Sequence, residues 1–389
     1  MTSNDFSEKS GVNTKLAHCG NDPADYFGFV NPPVVHASTV LFPDAETLKS
    51  ENQRYTYGTH GTPTTDALCE AINSLEGAKK TVLVPSGLAA ITVPLLGVLS
   101  QGDHVLITDS VYGPTRRFAD NMLKKMGVEV EYYDPTIGAA IERLMKPQTK
   151  AVFTESPGSN TFEIQDIPAI SSVAHAHGAV VLMDNTWATP LNFKPLDYGV
   201  DISITAGTKY PAGHSDILIG FISANDRTKR IVEDAHKFLG MSVSGDDAYN
   251  TLRSMRTMGI RLAHQSKTAF ALAQWLETMP QVAEVLHPAL ESHKGHEIWK
   301  RDFKGASSLF SIVLKGGREK EAHAFLNALK IFKLGYSWGG YESLAVEVHL
   351  DDRVFKHQYL GSLLRLQIGI EDFDDLKVDL EQALIATKL

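Results

Sequence analysis

The stretch Asp201-Ile-Ser-Ile-Thr-Ala-Gly-Thr-Lys209-Tyr-Pro-Ala-Gly-His-Ser-Asp216 decides how the chain is read. It opens as a short apolar strand, breaks into small residues, and delivers one lysine, Lys209, just past the strand's end. A second apolar run, Ile217-Leu-Ile-Gly-Phe-Ile222, follows at once and reads as the next strand. A lysine held between two buried strands is desolvated. Desolvation lowers an ammonium's pKa and makes it a nucleophilic amine, able to carry an aldehyde cofactor covalently. The plain alternative is a solvated surface lysine, the commoner place for that residue type.

Working outward, short apolar runs at 81–84, 104–108, 128–132, 151–154 and 179–183 alternate with helical stretches. Near-continuous apolar runs of this length imply a mostly parallel sheet covered on both faces, an α/β fold. Residues 1–60 carry Pro23, Pro32, Pro33 and Pro43 and no sustained period, so they read as an arm packed on another subunit or over a site. A helix over 66–75, capped by Thr64 or Thr65, opens an α/β domain expected to span 61–255. A long helix over 248–276 then leads into a smaller α+β domain, 256–389. Its strands are expected at 309–314, 343–349 and 363–368, and its helices at 319–328 and 372–386.

The formal charge of −9 argues against nucleic acid as partner, since phosphate backbones are bound by basic patches. Two cysteines, Cys19 and Cys69, make no disulfide framework and suit a reducing cytoplasm. The first ten residues have no charged-then-apolar leader pattern, and the apolar run near 89–99 contains Pro94 and is too short to span a bilayer. A soluble cytoplasmic protein is expected. The fifteen histidines show no HExxH pattern, and His175 and His177 fall on different helix faces, so no metal is expected.

Four loops after strand ends bear on Lys209. Ser86-Gly87-Leu88 opens a helix whose free N–H groups favour an anion such as phosphate, or is an ordinary strand–helix turn. Tyr112, on a Gly/Pro loop, could stack on a planar ring or pack partly in the core. Asp184 ends an apolar strand, where a carboxylate needs a cation or strong donor; a protonated pyridine nitrogen or a neighbouring backbone N–H would serve. Lys209 follows after about one strand–helix–strand crossover, which places acid and lysine on one edge of adjacent parallel strands. Phosphate cradle, stacking aromatic, carboxylate and amine together point to pyridoxal phosphate.

The landmarks Tyr57-Gly58, Ser86-Gly87, Tyr112, Asp184-Asn-Thr186, Thr208-Lys209-Tyr210, Gly213-His-Ser-Asp216, Ser337-Trp-Gly-Gly-Tyr-Glu-Ser343 and Arg365 are all present. With them the chain resembles, over essentially its whole length, the Cys/Met-metabolism family of pyridoxal-phosphate enzymes. The resemblance implies fold type I, with a mostly parallel seven-stranded sheet and a smaller C-terminal domain. It implies that Lys209 holds the cofactor and moves protons, that Asp184 keeps the pyridine nitrogen protonated, and that Tyr112 stacks on the ring. Ser86, Gly87, Leu88, Thr186 and Thr208 are the implied cofactor contacts, with Tyr57 reaching in from a neighbouring subunit of a homotetramer. Arg365 and Ser337 are the implied carboxylate binders, with Trp338, Tyr112 and Tyr57 beside the substrate.

Within the family, Ser337-Trp338-Gly339-Gly340 and the stretch Lys294-Gly-His-Glu-Ile-Trp-Lys-Arg-Asp-Phe303 resemble members that cut the β-carbon–sulfur bond of cystathionine. Relatives working on γ bonds usually carry Leu where Trp338 stands, and methionine γ-lyases typically carry Cys where Pro114 stands. Three departures from the family pattern stand out: Thr59 in place of a phosphate-clamping arginine, with His60 beside it; Ser159 in place of an asparagine, with Asn160 next; and Ala206 in place of a serine. Rival readings are γ-elimination, γ-replacement or racemisation with the same cofactor, or a cofactor-free binding protein on the same scaffold.

Overall fold

The computed structural model describes residues 10–355 and 359–389. Its larger sheet has seven strands: β1 Lys80–Val84, β2 His104–Thr108, β3 Glu129–Tyr133, β4 Thr149–Glu155, β5 Val180–Asp184, β6 Ile202–Thr205 and β7 Gly220–Ala224. They lie in the order β1-β7-β6-β5-β4-β2-β3. The run from β6 to β3 is parallel, and β7 is antiparallel to both β6 and β1. The mostly parallel α/β sheet expected from the apolar runs is therefore present. Its strands are apolar on both faces because each face buries a layer of side chains: Val105, Phe153, Leu182 and Ile204 on one, Leu106, Val152, Val181 and Met183 on the other.

The register fixes what stands at the sheet's C-terminal edge. Glu155 pairs with Asp184, and Asp184 with Ile204, so the ends of β4, β5 and β6 are level. The reversal in strand direction at β6 and β7 leaves the Lys209 turn at that same edge.

A second sheet of five strands has the order β10-β11-β12-β9-β8, where β8 is Val282–Leu286, β9 Leu309–Leu314, β10 Lys333–Leu334, β11 Leu344–Val348 and β12 Leu363–Gln367. Residues of the helices Met258–Leu276, Glu319–Ala328 and Phe373–Thr387 bury Leu272, Phe325 and Leu380 against it. Among the described residues no helix is long and apolar enough to cross a membrane.

Several boundaries differ from the sequence reading. The apolar run at 217–222 is not one strand. Ile219 exchanges hydrogen bonds with Thr208, whose N and Oγ1 donate to its carbonyl while Oγ1 accepts from its N, and β7 begins only at Gly220. Gly220 is forced there: a Cβ would lie 2.3 Å from the Ser86 carbonyl oxygen. The stretch 248–276 is two helices, Gly245–Met255 and Met258–Leu276, broken at Thr257. At the break, Arg256 donates to the carbonyls of Leu16 and Cys19 and to Asn21 Oδ1. The N-terminal segment is not wholly irregular, since it holds the helices Val12–His18 and Ala45–Ser50, with Leu16 and Cys19 buried. The cap of the helix Pro63–Glu76 is Thr62, not Thr64 or Thr65. Thr65 serves as the reciprocal member of its capping box, and Thr64 donates to the Pro33 carbonyl.

Candidate active site

A cavity of about 230 Å³ opens beyond the C-terminal ends of β4, β5 and β6. Each wall comes from a loop whose conformation has a local cause. On one side stands the N-terminus of the helix Gly87–Val98. Ser86 is its N-cap: its Oγ accepts from Ala89 N, and its carbonyl accepts from Ala90 N. The backbone N–H groups of Gly87 and Leu88 are left at the mouth of the helix dipole, where an anion is favoured. A side chain at Gly87 would close this cradle, since its Cβ would meet Ala206 Cβ at 2.6 Å.

Asp184 ends β5 fully within the cavity wall. Its Oδ1 accepts from Thr186 N at 3.0 Å and Thr186 Oγ1 at 2.5 Å. Thr186 Oγ1 in turn accepts from Ala206 N at 2.9 Å, so this hydroxyl ties the end of β5 to the end of β6 and aims the carboxylate. Burial raises the Asp184 pKa, offset by the Thr186 hydrogen bonds and the Lys209 charge. A buried carboxylate that is only partly compensated is suited to a cationic nitrogen.

Lys209 lies in the turn after β6, its N–H donating to the Ala206 carbonyl. Its Nζ donates to Ser337 Oγ at 2.5 Å and stands 5.3 Å from the centroid of the Trp338 ring. Burial, then the Arg365 charge, push its pKa down to about 8, against the opposing pull of Asp184. A sizeable neutral fraction therefore exists near neutral pH, as a nucleophile or base requires. Ser337 holds its place at φ 81°, a left-handed backbone strained for a non-glycine residue. Its carbonyl accepts from Arg365 Nη2 at 3.4 Å. Arg365, on β12, brings the second sheet to the cavity; burial lowers its pKa to about 10, which leaves it cationic at neutral pH.

The structure thus brings together in one chain Ser86, Gly87, Leu88, Tyr112, Asp184, Thr186, Thr208, Lys209, Trp338 and Arg365 around one cavity, with Ser337 on the Lys209 amine. Tyr57 is not among them. It is half exposed and packs edge-on against His60, beside a separate cavity that contains Gly58, Thr59 and His60. The geometry also adds Glu155 and Trp187 to the site and gives Asn160 a place in its wall. Glu155 ends β4 next to Asp184, and its Oε2 accepts from Tyr112 N at 2.7 Å, which positions the aromatic ring. Burial, then the Asp184 charge, raise its pKa well above the usual carboxylate range. The reasoning that singled out Asp184, an acid closing an apolar strand, applies equally to Glu155. Asn160 and Trp187 complete the wall.

Away from this cavity, His104, Glu129 and Glu131 have the spacing of metal ligands at the opposite edge of the sheet. Lys146 Nζ stands 3.0 Å from Glu129 and 2.5 Å from Glu131, so one ammonium already pairs with both acids. His175, considered above as a ligand, hydrogen-bonds the buried Asp201 at 2.9 Å.

The arrangement offers an anion cradle at a helix N-terminus, a buried acid, an aromatic, a lysine whose pKa is lowered to about 8 and a cationic fork, a set of groups suited to pyridoxal phosphate. Comparison with known proteins agrees. The profile of the Cys/Met metabolism PLP-dependent enzyme family matches residues 13–385. The chain is 62% identical over 384 residues to a Rhizobium johnstonii protein named provisionally as a cystathionine beta-lyase, covering 97% of both chains. It is 42% identical over 383 residues to cystathionine beta-lyase MetC of Escherichia coli (strain K12), covering 95% of this chain and 97% of that one. Relatives named for racemase and γ-synthase activities match as well. The crystal structure of metB from Corynebacterium glutamicum superposes with a TM-score of 0.91 at 32% identity, over 98% of this chain and 99% of that one. The chain belongs to the Cys/Met metabolism PLP-dependent enzyme family.

Proposed function

We propose that the protein is a carbon–sulfur β-lyase that converts L-cystathionine and water to homocysteine, pyruvate and ammonia, a step of methionine synthesis. The observation that carries this reading is the Lys209 amine seated between Ser337 Oγ and the Trp338 ring, with Arg365 facing the same cavity. The names of relatives at 42% and 62% identity support the choice of reaction.

Pyridoxal phosphate, when bound, supplies an electron sink for the negative charge left at Cα. Gly87 N–H, Leu88 N–H and Thr208 would hold its phosphate, Tyr112 its ring face, and Asp184 its protonated ring nitrogen. Arg365 would take the substrate's α-carboxylate through its paired N–H donors. Lys209 in its neutral form removes the Cα proton, and the resulting ammonium then gives a proton to the departing thiolate. Water hydrolyses the three-carbon remainder. Ser337 Oγ keeps the amine beside Cα between the two transfers.

The purified protein should release pyruvate, not 2-oxobutyrate, from L-cystathionine; 2-oxobutyrate as the main product would put the cut on the γ side. Lys209→Ala should lose both turnover and the visible absorbance of bound cofactor. Because a racemase is among the relatives, D-alanine formation from L-alanine is the second assay, and a rate above that of pyruvate release would reverse the assignment. We further infer that the working particle is a cytoplasmic homotetramer in which Tyr57 serves a neighbouring subunit's cavity. Two features support this: Tyr57 lies outside its own chain's cavity, and the segment leading to it exposes Phe27, Phe29, Val30 and Leu41.

A further inference from the structure

Asn160 lines the same cavity, and no step described so far uses it. Its backbone is in the left-handed region, with φ 66°, a conformation that asparagine tolerates better than most residues. Both flanks of that turn are pinned. The buried Arg353 donates from Nη2 to the Ser159 carbonyl at 2.9 Å and to Thr161 Oγ1 at 2.6 Å, and from Nη1 to Glu163 at 2.9 Å. Ser159 N donates to the Ser110 carbonyl, and the Asn160 carbonyl accepts from Ser311 Oγ at 2.8 Å. The side chain is thereby carried to Arg365, whose Nη1 donates to Asn160 Oδ1 at 3.1 Å. The orientation of the carboxamide is not in question, because a guanidinium only donates.

Arg365 is thus held on both terminal nitrogens, Nη1 by Asn160 Oδ1 and Nη2 by the Ser337 carbonyl. Each of those nitrogens carries two hydrogens. One hydrogen on each is used internally, and one on each remains for a two-oxygen ligand. Fixing the plane of the fork before the ligand arrives removes part of the ordering cost of binding.

We propose that Asn160 is a positioning residue that acts through Arg365, setting the guanidinium to receive the substrate's α-carboxylate. The proposal rests on the reading of Arg365 as the carboxylate-binding group. It makes two variants informative. Asn160→Gly keeps the left-handed backbone free of strain and removes only the side chain. Asn160→Asp keeps the shape and replaces a neutral acceptor with a carboxylate that pairs with Arg365 and competes with the substrate.

The test uses the cofactor-loaded protein titrated with glycine and, separately, with methylamine, each followed by the change in visible absorbance. The two amines differ in the carboxylate alone. Hydrogen bonds to charged groups of this kind correspond to roughly tenfold or more in affinity. Asn160→Gly should weaken glycine about tenfold by that measure, Asn160→Asp should weaken it further, and neither should change methylamine. With L-cystathionine, KM should rise while kcat stays nearly constant. Equal weakening of both amines would mean a structural role only, and unchanged glycine binding would mean no role; either result overturns the proposal. If wild-type protein fails to cleave cystathionine but the glycine-selective loss appears, the substrate reading falls and the role of Asn160 stands.

Discussion

Lys209 can act as a base only in the molecules where its amine is neutral, and its neighbours set that fraction. Burial is the largest influence, Arg365 adds to it, and Asp184 opposes it, leaving a pKa of about 8 against the ordinary 10.5. The neutral form therefore accumulates as pH rises through about 8. Removing the Arg365 charge should move this midpoint up, whereas Asp184→Asn should move it down. Competitive acetylation of Lys209 in cofactor-free protein across pH, read by mass spectrometry, checks both directions; a shift of the same sign in both variants would contradict the electrostatic account. The sequence made Lys209 and Asp184 legible because each is a charge placed where an apolar strand ends. Glu155 shows the same local signal as Asp184, an acid closing an apolar strand, but nothing local shows the partner of either Glu155 or Asn160. Glu155 matters only because strand register sets it against Asp184, and Asn160 only because a residue from the other sheet meets it.

At the scale of elements, the helix Pro63–Glu76 carries a further buried carboxyl, at its C-terminal end. Glu76 is almost fully buried, accepts from Ser203 Oγ on β6 at 3.2 Å, and leaves Oε2 without a partner. Burial raises its pKa to about 7 from 4.5. The folded state thus keeps a proton that the unfolded chain has lost between those values. Its contribution to stability is greatest below about 4.5 and declines as pH rises to about 7. Glu76→Gln, which needs no proton, should raise the melting temperature at pH about 8 and leave it nearly unchanged at pH about 4, the gain being at most about 3 kcal/mol at ~1.4 kcal/mol per pKa unit. The other end of this helix depends on the Thr62–Thr65 capping box. Thr62→Ala should cost about 1 kcal/mol, measurable by denaturant unfolding. This helix is legible in the sequence but its cap is not, lying two or three residues before the expected Thr64 or Thr65, because Thr62, Thr64 and Thr65 are all capping residue types and only the chain's path shows which hydroxyl reaches a free N–H.

At the scale of the whole molecule, the cavity is assembled from two sheets and, on our proposal, two chains. Within the chain, Asp109, in the turn just past β2, accepts from Val354 N and Phe355 N, while Arg353 reaches back to Ser159, Thr161 and Glu163. These contacts tie the loop before β12 to the loops that carry Tyr112 and Asn160. Between chains, mixing Tyr57→Ala protein with Lys209→Ala protein under conditions that allow subunit exchange should restore activity that neither variant has alone, since a hybrid contains one intact cavity. Failure to complement in a mixture shown to have exchanged would place Tyr57 outside the site. Size-exclusion chromatography with light scattering should give four times the 42.6 kDa of one chain. His60 does not replace a clamping arginine freely, because its Nδ1 is bonded to Thr56 Oγ1 at 2.8 Å. His60→Ala should still weaken cofactor retention on dialysis, and unchanged occupancy would remove it from the phosphate site.

By itself the sequence determined the α/β class and pointed to pyridoxal-phosphate chemistry and to Lys209, because these follow from local patterns: apolar runs of strand length and isolated charges at their ends. The tertiary structure decided how the site is tuned. The pKa of Lys209, the tie of Thr186 to the end of β6 that aims Asp184, the grip of Glu155 on Tyr112 and the fork of Arg365 held by Asn160 all depend on pairs 20 to 205 residues apart. Such pairings are set by strand register and by the packing of one sheet against another. Neither leaves a periodic trace in the chain, so proximity across the fold had to be seen to be known.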